Sequence, residues 1–161
     1  MMQKKVQIIS DGSLDLSQEL TKEKDIEVVP FYVSFDSETY QKEMVEVGVR
    51  EFYQEMVDHP TVFPKTSMPS VHDYYEVFEK HAKEKMPVIC ICITRKFSGS
   101  LQSATTAKDM ILEEYPDAQI TVIDSTVNTV LQGLYVLEAC RLRDMGLEYQ
   151  QIVDALLPIR E

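Results

Sequence analysis

Four short stretches of the chain concentrate groups that can hold a negative charge. They are S-D-G-S at 10–13, K-T-S-M-P-S at 65–70, T-R-K-F-S-G-S at 94–100 and D-S-T at 124–126. Each offers hydroxyl and backbone N–H donors, and a carboxylate or phosphate accepts hydrogen bonds without giving any. Arg95 and Lys96 add a local positive pair in a chain whose formal charge is −11, and such a pair could guide an anion inward. The chemistry on offer is binding. No G-x-S-x-G elbow surrounds Ser98, and neither a P-loop lysine nor G-x-G-x-x-G is present. A hydroxyl without an activating base donates hydrogen bonds and does not attack. No catalytic residue and no cofactor is therefore expected. His59, His72 and His81 lack metal-ligand spacing and read as surface or boundary histidines, so no metal site is expected.

Every motif also has a plainer use. Ser98 or Ser100 can cap a helix, Ser70-x-x-Asp73 matches a capping box, and Asp11 and Asp124 are common turn residues after strands. Two other functional classes stay open beside a binding module. One is an enzyme acting on a small phosphate or carboxylate at the same place, with Lys65 and Lys96 nearby. The other is an interaction domain with no ligand.

The elements that must position these stretches follow from periodicity. Residues 5–10 read as a buried strand ending in a turn at 11–13, and 17–24 as a short helix. Residues 26–36 are β-branched and aromatic, one strand with Pro30 as a bend or an edge. A helix at 49–58 and a proline-bounded loop at 59–70 follow, then a helix from Val71 with Tyr74, Tyr75 and Phe78 on one face. Residues 87–94 form the clearest central strand, 98–114 a helix, and 119–124 a strand. A helix over 126–145 is capped by Gly146, and a last helix from 147 should stop or kink at Pro158. Strands alternating with long helices predict one three-layer α/β/α domain with a mostly parallel sheet. In such a sheet ligands gather beyond the carboxyl ends of the strands, where three of the four polar stretches fall.

Bulk properties narrow the partners. The 161 residues are one domain's worth of chain, 44% hydrophobic, and the negative field repels phosphate backbones, so no nucleic acid is expected. No apolar run approaches the ~20 residues a bilayer needs, and no signal peptide precedes Asp11, so the expected place is the cytoplasm without stable membrane insertion. Cys90 and Cys92, two apart in a strand, share a face and read as buried thiols rather than a disulfide or zinc pair.

In order, SDGSLDL (10–16), IEVVPFYVSFDSETY (26–40), PKTSMPS (64–70), ITRKFSGSLQSA (93–104) and VIDSTVNTVLQGLYVLEA (122–139) resemble the DegV family of bacterial fatty-acid-binding proteins. The resemblance implies a long-chain fatty acid in a tunnel, its carboxylate held by hydroxyls. Carried onto matching positions, Thr66 and Ser98 are the direct donors, with Ser67 and the Gly99 amide as supports. Asp11 and Ser125, in the motifs at the same rim, complete the expected ligand-binding set. It also implies that the loaded protein presents its lipid to a fatty acid kinase, which makes the acyl-phosphate for phospholipid synthesis. The chain departs from the family pattern at Gly12, Met68, Arg95-Lys96-Phe97, Ser100-Leu101, Thr129 and Leu131, while Gly133 is retained. Family members continue into a second α/β domain that supplies further head-group ligands. Residues 1–161 are expected to be the single N-terminal domain, ending where that second domain would begin.

Overall fold

The computed structural model describes residues 6–160. Along the chain run β1 (Gln7–Asp11), a 3-10 turn at Gly12–Leu14, α1 (Gln18–Glu23), β2 (Ile26–Val29), β3 (Tyr32–Ser34) and β4 (Gln41–Lys42). Then come α2 (Val49–Asp58), β5 (Lys65–Ser67), α3 (Val71–Lys83), β6 (Val88–Cys92) and α4 (Ser100–Glu114). β7 (Ile120–Asp124), α5 (Thr129–Asp144) and α6 (Tyr149–Ile159) close the fold. Lys5, the first residue of the expected strand 5–10, lies outside the described residues.

β2, β1, β6 and β7 pair in that order, all parallel, with Ile8 opposite Ile26 and Ile89, and Cys92 opposite Asp124. β1 and β6 are buried at every position; β6 is accordingly apolar on both faces, while β1 also buries the hydrogen-bonded Gln7, Ser10 and Asp11. Alternation divides their side chains between two cores. Ile8, Ile89, Ile91 and Ile123 pack with Val136, Ile152 and Leu156 of α5 and α6. Ile9, Val88, Cys90 and Cys92 pack with Tyr74, Phe78, Ala104 and Ile111 of α3 and α4. Burying one such side chain contributes roughly 1.5–3 kcal/mol. The result is the expected α/β/α domain, and Cys90 and Cys92 are free, buried thiols on one face.

A second sheet, order β4-β3-β5 and antiparallel, was not anticipated. It comes from breaking the expected strand 26–36. Pro30 has no N–H for the ladder, and past it the chain leaves the parallel sheet. The Phe31 amide is instead taken by the Glu43 side chain at 3.2 Å, and Glu43 N–H donates to the Phe31 carbonyl at 3.0 Å. β5 lies inside the segment expected to be a loop, because K-T-S is short, polar and exposed at all three positions.

Helix boundaries shift for local reasons. α5 starts at Thr129 rather than 126, since the Asp124 carboxylate takes the Thr126 amide at 2.9 Å and Thr126 adopts φ +63°. Its end is a Schellman motif: Gly146, at φ +88°, donates to Arg143 and Leu147 donates to Leu142. Pro158 is carried inside the last turn of α6, which runs one residue past it. His81 is the exception among the histidines. It is buried on α3 with Nε2 2.6 Å from Glu27 of β2, while His59 and His72 are exposed.

Candidate functional site

The chain goes from β1 outward to β2 on one side and returns to β6 and β7 on the other, so the sheet's switch point lies between the carboxyl ends of β1 and β6. Asp11 ends β1 at that point and is completely buried. Its Oδ1 accepts from Gln132 Nε2 at 2.8 Å and from the Ser13 amide at 3.2 Å. Its Oδ2 accepts from the Ser100 hydroxyl at 2.8 Å and from the Ile93 amide at 2.9 Å. Burial pushes this carboxyl above the ordinary range, and the four donors pull the other way. Ser125, also buried, donates to the Val127 carbonyl at 3.0 Å and braces the turn after β7. Asp11 and Ser125 thus stand at the rim with their polar atoms turned into the protein.

Ser98 differs. It is half-buried, and its Oγ accepts from the Ser100 amide at 3.2 Å, leaving its own O–H free to give. α4 therefore begins at Ser100, two residues later than expected, with Ser98 folded over its first amide. Gly99 is exposed, and a Cβ there would lie 2.6 Å from Met68 Sδ. Any side chain there would require the exposed Met68 side chain to shift, and the close approach joins the 94–100 loop to the 65–70 segment. Thr66 stands in β5, and Met68 lies just past the end of that strand. The structure thus brings the loop carrying Ser98 and Gly99 against the segment that carries Thr66, the candidate ledge. Ser67 points to the opposite side of β5, the side of its register partner Tyr32. Among the described residues neither the Thr66 nor the Ser67 hydroxyl has a hydrogen-bond partner.

The small sheet is held to the body by Asp73. In the Ser70 capping box its Oδ2 accepts from the Ser70 amide at 2.8 Å and hydroxyl at 2.6 Å. Its Oδ1 accepts from Tyr32 at 2.8 Å and meets Lys42 Nζ at 3.1 Å. Burial alone would raise this carboxyl, but the Ser70, Tyr32 and Lys42 donors overcome it and hold it at about 2.

Large apolar side chains are exposed next to Ser98 in the chain and at the start of α5. Phe97 is 75% exposed beside Ser98, and Val130, Leu131 and Leu134 are exposed on the first turns of α5, which packs on the Gly12–Leu14 turn. Arg95 reaches Asp124 at 3.6 Å and remains largely in solvent. A separate cavity of about 810 Å³ lies between the 43–48 loop and α2, with Leu16, Val33, Val47 and Phe52 in its wall; no residue of the ledge lines it. At this rim Gln132 escaped the sequence reading altogether. Ser100 reads there as a donor or cap and Tyr74 as a core residue, with the Asp11–Ser100 and Ser100–Tyr74 bonds unseen. Gln132, a buried amide within an apolar helical stretch, was the available signal.

A three-layer α/β domain with a donor-lined ledge at the carboxyl ends of its strands belongs to the ligand-binding α/β folds. The chain belongs to the DegV family, described as "Uncharacterised protein, DegV family", whose profile matches residues 5–161. It is 33% identical over 153 residues to a DegV domain-containing protein of Clostridium acetobutylicum, covering 95% of this chain and 53% of that one. Among solved structures it is similar to a stearic-acid-binding protein from Eubacterium ventriosum, with 46% identity, TM-score 0.89, and 94% and 52% of the two chains covered. It is also similar to a fatty-acid-binding DegV family protein from Thermus thermophilus, with 29% identity, TM-score 0.79, and 97% and 53% covered. The chain spans about half the length of these relatives.

Proposed function

We propose that this chain is the head-group half of a fatty-acid carrier, holding a long-chain carboxylate with Thr66 and Ser98 and presenting it to a fatty acid kinase for acyl-phosphate formation. One observation carries the reading: two segments from different sheets meet at Gly99 and Met68 with hydroxyl donors left uncommitted. The Gly99 amide and Ser67 serve as supports, while Asp11 and Ser125 hold the loops. Ser98 takes its hydrogen bond from an amide, so nothing there removes its proton. It is a donor rather than a nucleophile. A hydrogen bond to a charged group contributes about 1.5–3 kcal/mol. A tail contributes about 0.8 kcal/mol per buried methylene, so ~14 of them give on the order of 11 kcal/mol before ordering costs. The tail dominates affinity and the hydroxyls set orientation. Phe97, Val130, Leu131 and Leu134 offer one apolar wall, and the second half of the relatives' length is the natural source of the other.

Lipid extraction and mass spectrometry of the purified chain, alone and extended by such a second half, test this. Long-chain acids retained by the extended form and lost in Ser98→Ala support the reading. An extended form that carries no fatty acid and supports no kinase turnover rejects it.

A further inference from the structure

The loop carrying Ser98 is tied at both ends to one oxygen. Asp11 Oδ2 accepts the Ile93 amide, where β6 ends, and the Ser100 hydroxyl, where α4 begins. Resting on the fatty-acid reading above, we propose that Asp11 is a positioning residue for the head-group donor Ser98, acting through Ser100 and a one-way chain of buried donors. The direction follows from chemistry. A carboxylate only accepts, so the Ser100 hydroxyl must donate to it. Ser100 Oγ, having spent its proton, accepts from the Tyr74 hydroxyl at 2.6 Å. The Tyr74 oxygen is then the acceptor for the Cys92 thiol at 3.7 Å, and Cys92 Sγ for the Cys90 thiol at 3.9 Å. Every link points toward Asp11, and such chains strengthen cooperatively. Ser100 held in this way aims its amide at Ser98 Oγ, so the Ser98 proton is left for the ligand. On the other face of the sheet, Oδ1 takes Gln132 of α5 and the amide of Ser13, so one carboxylate sets three loops of the rim.

Asparagine cannot replace this group. Whichever way it turns, its NH₂ faces a backbone N–H that can only donate: that of Ser13, or that of Ile93. The experiment measures binding of [1-¹³C]palmitate and of methyl palmitate, which lacks the charged acceptor, to the wild-type chain, Asp11→Asn, Tyr74→Phe, Ser98→Ala and the Asp11→Asn/Ser98→Ala double variant. Amide exchange at residues 98–101 is followed in the same samples. Asp11→Asn is expected to reduce the acid-over-ester preference about tenfold, as Ser98→Ala does, with no further loss in the double variant. Tyr74→Phe gives a smaller loss in the same direction, about two- to threefold, and remains informative if Asp11→Asn does not fold. The amides of 98–101 lose protection in both, while those of β6 keep it. Parallel losses of acid and ester, a tighter grip on the acid, or unchanged exchange at 98–101 would each overturn the proposal. Should the wild-type chain alone take up neither probe, the same variants are compared in the form extended by a second half, where failure to bind either probe rejects the carrier reading, and exchange at 98–101 decides the positioning role.

Discussion

The two sheets that carry the proposed ledge are built on very different terms. In the parallel sheet β1 and β6 are buried at every residue, and the Ser98 loop hangs on a saturated carboxylate within it. In the antiparallel sheet β5 is exposed at every residue, the Thr66 hydroxyl has no hydrogen-bond partner among the described residues, and Asp73 ties the sheet down from one side. One wall of the proposed grip is therefore part of the core, and the other is a light flap docked on it. Local opening free energies follow buried apolar contacts, so the flap should open at a small fraction of the cost of unfolding the sheet beneath. For the proposed carrier this division is useful: the rigid side would keep the donor geometry, and the soft side would let a long ligand in and out.

The largest expected effect lies in the rigid half. Ile91→Ala removes a fully buried side chain between the sheet and α5–α6, at a cost of about 2–5 kcal/mol. Chemical denaturation would read it as a lower midpoint with unchanged slope. A cost under about 1 kcal/mol would mean the parallel sheet is not the stable half.

Asp73→Asn probes the flap directly. Hydrogen bonds to a charged group and the helix cap together predict about 1–3 kcal/mol. The loss should be local: amide exchange quickens at 32–34 and 65–67 and stays slow at 88–92. Uniform acceleration across both sheets would show that they open as one unit.

Acid separates the halves without mutation. Asp73 is held at about 2 against an ordinary 3.8, so its contribution is complete above 3.8 and is lost as pH falls toward 2. Asp11 has the opposite sign. Its carboxyl is raised, so the folded state binds that proton more readily than the unfolded chain, and acidification favours the parallel sheet. Between pH 4 and pH 2 protection should fall at β3 and β5 before it falls at β6. Simultaneous loss would assign the acid response to general charge rather than to Asp73.

This contrast also explains what could be read in advance. V-I-C-I-C is apolar on both faces because both faces are buried, so β6 was visible in the chain alone. The parallel order then put the polar stretches after β1, β6 and β7 on one rim. β3 and β5 were not visible, because three-residue exposed strands have no hydrophobic pattern and are defined by their pairing, Val33 opposite Thr66. The inward turn of Asp11 was equally hidden, since turn, ligand and buried anchor all use the same residue after a strand. What separates them is Gln132 and Ser100 arriving from 121 and 89 residues away.

The smallest effect on stability is also the sharpest test of the ledge. Thr66 is exposed, and among the described residues its hydroxyl bonds to nothing, so Thr66→Val keeps the β-branched shape that suits a strand and removes only the donor. Stability should stay within about 0.5 kcal/mol of wild type. Affinity for palmitate should fall on the order of tenfold, because one hydrogen bond to a charged group is lost, while methyl palmitate binds as before. Ser98→Ala makes the matching loss from the rigid wall, with about 1 kcal/mol of stability lost as well, since Ser98 also satisfies the first amide of α4. Equal losses of palmitate affinity with unequal losses of stability are the signature of two donors sharing one carboxylate from supports of different strength. If Thr66→Val left palmitate binding intact while Ser98→Ala abolished it, the grip would lie on the parallel sheet alone, and the flap would only cover it.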